Sequence, residues 1–130
     1  MRTGRKMKLF TIQEANDLLP AINPKLIEIR ALYAKLAIMR DSARAAAAAS
    51  QFGGGMAGGT GYVNTLYNVG KLTTELHQLG IELKDYDRGL IDFPSMRNGR
   101  VVLLCWQLGE GDEIEWWHEA DAGIAGRQPI

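Results

Sequence analysis

This chain of 130 residues has too few cysteines for an internal disulfide, no apolar run long enough to cross a membrane and no net charge. Its one cysteine, Cys105, fits a reducing compartment. Histidine is almost as scarce, at His77 and His118 alone. No uninterrupted apolar stretch approaches the ~18 residues of a spanning helix. The basic N-terminus, MRTGRKMKLF, lacks the apolar segment of a secretory signal. These absences together predict a cytoplasmic protein. Lys and Arg number 15, matched by 15 Asp and Glu. That balance argues against a general nucleic-acid binder, whose affinity comes from a cationic surface.

What is present is ordinary globular composition, 46% apolar and 23% charged. A chain of this length buries roughly two-thirds of its unfolded surface, so neither a metal nor a disulfide is required to hold it. The neutral total hides a polarity. Residues 1–50 carry nine Lys/Arg against four Asp/Glu, and residues 51–130 carry six against eleven. The simplest consequence is attraction between the two halves, within one chain or between copies.

The chain reads as a single α+β domain. Residues 1–9 form a basic arm, 10–49 are helical, 50–61 are a Gly-rich linker, 62–80 are helical, 81–119 hold a sheet and 120–130 are a tail. Thr11 and Glu14 have the spacing of a capping box. A short helix is expected from Ile12 to about Leu19, broken or kinked near Pro20, with Pro24 in the first turn of a second helix. From Ile22 onward a heptad stripe of Ile22, Ile29, Leu36 and Ala43, with Leu32, Met39 and Ala46, requires a packing partner. Tyr62, Val69 and Leu76, with Leu72 and Leu79, supply a second stripe, and Gly80 caps it. The expected product is a long antiparallel helical hairpin. Gly53-Gly54-Gly55-Met56-Ala57-Gly58 matches a dinucleotide-binding pattern in letters, but it follows an alanine-rich helix and no βαβ unit surrounds it.

Beyond Gly80 the period changes to that of strands. Leu90–Met96 and Val101–Leu108 meet across Asn98-Gly99, a strong hairpin signal, and Glu113–His118 is a third strand after Gly109–Asp112. The sheet is therefore expected to be small, C-terminal, three-stranded and antiparallel. A two-residue loop pairs Arg97 with Arg100, Phe93 with Leu104 and Ile91 with Trp106. One face then carries Ile91, Phe93, Val102, Leu104, Trp106 and Leu108 toward the helices. The other carries Asp92 opposite Cys105. A simple four-residue loop at Gly109–Asp112 also sets Trp116 opposite Cys105 and His118 diagonal to it, whereas a single bulge in the third strand turns His118 to the opposite face.

Candidate functional residues gather there. Cys, His and Asp on one face suit a nucleophile or a metal, although a Cys within Val-Val-Leu-Leu-Cys-Trp reads first as a small buried hydrophobe. His118, Glu119 and Asp121 form a candidate metal set. A divalent transition metal is the one cofactor these residues admit, and no motif demands any cofactor. Adjacent strand residues face opposite ways, so His118 and Glu119 converge only if the strand ends there. Trp117 is a candidate anchor for a ligand unless the tail folds over the exposed tryptophan. Arg127 suits either an anion or a nearby carboxylate.

Several short motifs recur in order: Phe10-Thr-Ile-Gln-Glu-Ala-Asn-Asp-Leu-Leu-Pro20, Gly80-Ile-Glu-Leu-Lys-Asp85, Gly89-Leu-Ile-Asp-Phe-Pro94, Leu104-Cys-Trp106, Gly109-Glu110, Trp117-His118 and Gly123-Ile-Ala-Gly-Arg127. The set resembles the prokaryotic family catalogued as domain of unknown function 2203, over nearly the whole chain. The stretch from Ala43 to Gly61 looks peculiar to this sequence, and Ile124 stands where the family leads one to expect Phe. The resemblance implies a small cytoplasmic prokaryotic protein with its signature at the sheet and tail, and it supplies no activity.

Two functions remain in view. The first is a self-associating helical module, a dimer through its helices, with Asp92, Trp117, His118, Glu119, Asp121 and Arg127 on a surface for a protein or small-molecule partner. The alternative is a small metal-assisted or acid/base enzyme centred on His118.

Overall fold

Thr11 opens the first helix. Its Oγ1 accepts the Glu14 amide at 3.0 Å, and the Glu14 carboxylate accepts the Thr11 amide at 2.9 Å, completing the capping box. The structure is a computed structural model that describes residues 7–49 and 59–130. Helix α1 then runs unbroken over Ile12–Ala49, with Pro20 and Pro24 both inside it. The expected break at Pro20 is therefore absent, and the reason is tertiary. Both prolines are exposed, so their rings stand on the solvent side of the helix and take no place in the core. The opposite face carries Ala15, Leu19, Ile22, Leu26 and Ile29, all buried in the core. Two interior prolines cost roughly 3 kcal/mol each. Four large aliphatic side chains contribute roughly 1.5–3 kcal/mol apiece when buried, which matches or exceeds that cost.

Helix α2 spans Gly59–Gln78, starting inside the stretch read as linker. The Gly53–Gly58 pattern lies outside the described residues. The two helices run antiparallel. Lys25 Nζ donates to Glu75 at 2.7 Å near one end, and Met39 lies against Gly61 near the other. Gly80 ends the helix at φ 92°, with its amide on the His77 carbonyl and the Ile81 amide on the Leu76 carbonyl.

The sheet has five strands rather than three: β1 (Glu82–Asp85), β2 (Leu90–Arg97), β3 (Arg100–Gln107), β4 (Trp116–Glu119) and β5 (Gln128–Pro129). Their spatial order follows the chain, and every neighbouring pair is antiparallel. β1 and β5 are too short to announce themselves. β1 is four residues with a bulge between Leu83 and Asp85, and β5 is two residues paired with Trp116 and Trp117.

The hairpin register is as read from the sequence: Ile91 pairs with Trp106, Asp92 with Cys105, Phe93 with Leu104 and Arg97 with Arg100. Asn98 and Gly99 take φ values of 52° and 77°, the two positive angles of a type I′ turn. Cys105 pairs with Trp116 as expected, although β4 begins only at Trp116. The inner face of the sheet packs against α1 through Ile91, Phe93, Val102, Leu104 and Trp106, joined by Trp117. Among the described residues, no helix is long and apolar enough to cross a membrane.

Candidate functional site

The outer face of the sheet is not open to solvent at its centre. Leu90, Asp92, Leu103, Cys105 and His118 alternate with the core residues, yet all are buried. The C-terminal segment accounts for this. After β4 the chain turns through a 3-10 turn at Ile124–Gly126 and returns as β5. Arg127 lies over the Trp116 ring with its guanidinium 4.9 Å from the centroid. The tryptophan on this face is thus Trp116, and the tail does fold over it.

Under that cover sit three chemically active side chains from three adjacent strands: Asp92 on β2, Cys105 on β3 and His118 on β4. One possible ligand atom from each lies within 4.8 Å of the other two. His118 Nε2 is 3.0 Å from Asp92 Oδ1, and both side chains are 3% exposed. His118 Nδ1 is 2.8 Å from the Glu119 carbonyl oxygen. A carbonyl can only accept, so Nδ1 carries hydrogen and Nε2 is turned toward Asp92. The backbone therefore fixes the ring orientation before any ligand arrives.

Cys105 is fully buried, and burial, reinforced by the neighbouring Asp92 carboxylate, pushes its thiol up to about 12. Arg127 opposes that shift without reversing it. At neutral pH the side chain is a thiol, which removes it as an unassisted nucleophile.

Beside the cluster, Glu110 joins the β3–β4 loop to the tail. Its Oε1 accepts from Arg127 at 2.7 Å and from the Gln107 amide at 2.9 Å. Burial draws the Glu110 carboxyl upward, but these hydrogen bonds outweigh it and hold the group below its ordinary value. Arg127 thus pairs with a carboxylate rather than standing free.

A cleft of about 330 Å³ reaches Asp92 and His118. Lys84, Asp85 and Arg88 line it from β1 and the following turn, and Gly123 and Ile124 line it from the C-terminal segment. A larger groove of about 610 Å³ runs by Lys8, His77 and Glu82, where no buried ionisable side chains converge.

The six sequence candidates therefore divide. Asp92 and His118 meet, and Arg127 stands near them across Trp116. Trp117 points the other way, into the core, with Arg97 over its ring at 4.5 Å. Glu119 bonds Arg100 through its side chain and contributes only its carbonyl to the site. Asp121 is exposed in the turn after β4. The metal set His118, Glu119 and Asp121 does not converge, because Glu119 follows His118 on a strand and faces away. Lys84 and Arg88 were not singled out from the sequence. The alternation of Ile81-Glu82-Leu83-Lys84 was the available sign that a strand would carry Lys84 to this edge.

A small meander sheet backed by a helical hairpin, with a buried polar cluster beneath a cleft, is the class that fold and site define. Residues 8–130 match a family model described as "Uncharacterized conserved protein (DUF2203)", and the chain belongs to that family. Neither a curated protein nor a solved structure matches it significantly.

Proposed function

We propose that the chain is a small enzyme whose chemistry is carried by the Asp92–His118 pair at the base of the cleft, acting on a small polar molecule by acid/base or metal-assisted chemistry. The observation that carries this is the pair itself: a 3.0 Å contact between two side chains each 3% exposed, lining a cleft. Burying a histidine and a carboxylate together is costly and seldom improves stability over an apolar pair. Such pairs cluster where function needs them, and clefts with convergent polar groups are where small ligands bind. Lys84 and Arg88 reach the same cleft already paired, with Glu82 at 3.0 Å and Asp85 at 4.0 Å, so the lining is polar without favouring either sign of substrate charge.

The test is a thermal-shift screen of small carboxylates, phosphates, amines and amides against the chain, His118→Gln and Asp92→Asn, followed by turnover assays on every hit. The reading expects at least one class that raises the melting temperature of the unsubstituted chain and neither variant. Hits that persist in both variants, or no hits at all, would remove it.

A second reading, self-association through the helices, has its own support. Val63, Leu66 and Tyr67 fall on one face of α2 and are 62%, 51% and 70% exposed. An apolar stripe of that exposure suits a second helix layer. Sedimentation of Leu66→Glu beside the unsubstituted chain tests it: a dimer that the variant abolishes supports the module, and a monomer at high concentration ends it.

A further inference from the structure

Asp92, Cys105 and His118 stand 13 residues apart in each step, one on each of three successive strands of the meander. No local motif marks them, because the sheet rather than the sequence makes them neighbours. Each offers a different kind of donor: a carboxylate oxygen, a sulfur and an imidazole nitrogen.

The geometry points to a mononuclear site for a divalent transition metal, held by Asp92, Cys105 and His118 Nε2, with a further coordination position open to the cleft. This deepens the enzyme reading and rests on it. Four features of the cluster carry it. The three donor atoms lie within 4.8 Å of one another. In a tetrahedral zinc site, with bonds of roughly 2.0–2.3 Å, neighbouring donors are about 3.3–3.8 Å apart, so only small side-chain adjustments separate the two arrangements. His118 Nδ1 donates to the Glu119 carbonyl. Histidines that bind metals through one nitrogen characteristically give the other N–H to such an acceptor. Sulfur and imidazole together select zinc, cobalt or iron over magnesium and calcium, which take oxygen ligands. Finally, three protein ligands leave a zinc ion one position short, and Asp92 and His118 border the cleft from which water or a substrate would fill it.

Charge agrees with this assignment. An ionised Asp92 and a Cys105 thiolate would place two negative charges in a buried space, and a divalent cation cancels both. The cation is also what allows Cys105 to give up its proton there.

The experiment is titration of the chelator-treated full chain with Co²⁺ and Zn²⁺, beside Cys105→Ser, His118→Gln and the control Asp121→Asn. The expected result is one Co²⁺ per chain, with tetrahedral d–d bands and a sulfur-to-cobalt charge-transfer band. Zn²⁺ should displace the cobalt and raise the melting temperature. Cys105→Ser should lose the charge-transfer band, and both ligand variants should bind at least ~100-fold more weakly, since even outer-shell changes cost 10–100-fold. Asp121→Asn should bind as the unsubstituted chain does. Absence of stoichiometric binding by the unsubstituted chain overturns the site whatever the variants do, and so does a cobalt spectrum unchanged in Cys105→Ser. If metal fails to bind while His118→Gln still abolishes ligand binding or turnover, the metal site falls and the enzyme reading stands.

Discussion

The side-chain oxygen of Asn16 accepts the backbone N–H of Ile114 at 2.6 Å, across 98 residues of sequence. That single bond ties the first turns of α1 to the loop between β3 and β4, where Ile114 is buried in the core.

Asn16→Ala leaves the Ile114 amide without its partner. The expected cost is about 1–3 kcal/mol, the penalty for an unsatisfied buried donor. Asn16→Asp keeps an acceptor and should recover most of it. Urea denaturation of the three proteins measures this, and equal midpoints for Asn16→Ala and the unsubstituted chain would refute the bond's role.

Gly89 sits at φ 60°, and a Cβ added there would come within 2.5 Å of the Leu108 side chain. Gly89→Ala therefore combines a left-handed backbone with a clash. A loss of about 1–3 kcal/mol is expected. Gly99→Ala is the control, because its φ is 77° but its added Cβ meets nothing within 4 Å. The difference between the two variants isolates the clash.

The metal-free chain should lose stability in alkali because of Cys105. Its thiol is pushed up to about 12, from an ordinary value of 9.0, so the unfolded chain ionises first. Stability is full below the unfolded value and falls as pH rises through that window, since the unfolded state then binds fewer protons. Cys105→Ala should flatten the slope. Thermal melts taken at intervals from pH 8 upward, in chelator, give the comparison.

Acid should act through the Glu110–Arg127 pair. The Glu110 carboxyl is held below its ordinary 4.5, so its contribution is complete above that value and is lost as pH falls through the lowered one. Arg127→Met removes the guanidinium and should lessen this acid sensitivity. Intact sensitivity in the variant would assign the effect elsewhere.

Much of this fold was legible where local chemistry and tertiary structure ask for the same thing. Asn98-Gly99 supplies both positive φ angles, so the turn fixed the β2–β3 pairing residue by residue. The capping box at Thr11 and Glu14 likewise needs nothing beyond four residues. Legibility failed where a distant partner decides. Pro20 and Pro24 argue locally for a broken helix, but the sheet beneath Leu19, Ile22 and Leu26 holds α1 together.

The site was half legible for a related reason. The hairpin register alone brings Asp92 and Cys105 face to face, whereas the side on which His118 falls depended on the β3–β4 loop and is fixed by its pairing with Leu103. Glu119 and Asp121 attract notice as sequence neighbours of His118, yet neighbours along a strand diverge while partners across strands converge. The buried outer face left a weaker sign in Val101-Val102-Leu103-Leu104-Cys105-Trp106, an apolar run suited to a strand covered on both faces.

The strand order follows the chain, and α1 and α2 precede every strand. During synthesis the helical layer is thus available before the sheet, and each emerging strand can dock beside the one made just before it. Such sequential pairing keeps contacts local and favours rapid, orderly folding. His118 joins Asp92 and Cys105 only when β4 pairs, and Arg127 and β5 cover the face later still. A nascent chain halted between β3 and β4 holds most of its inner face, yet it exposes Cys105 and lacks the imidazole, so the polar cluster is assembled only after the hairpin beneath it and is covered last of all.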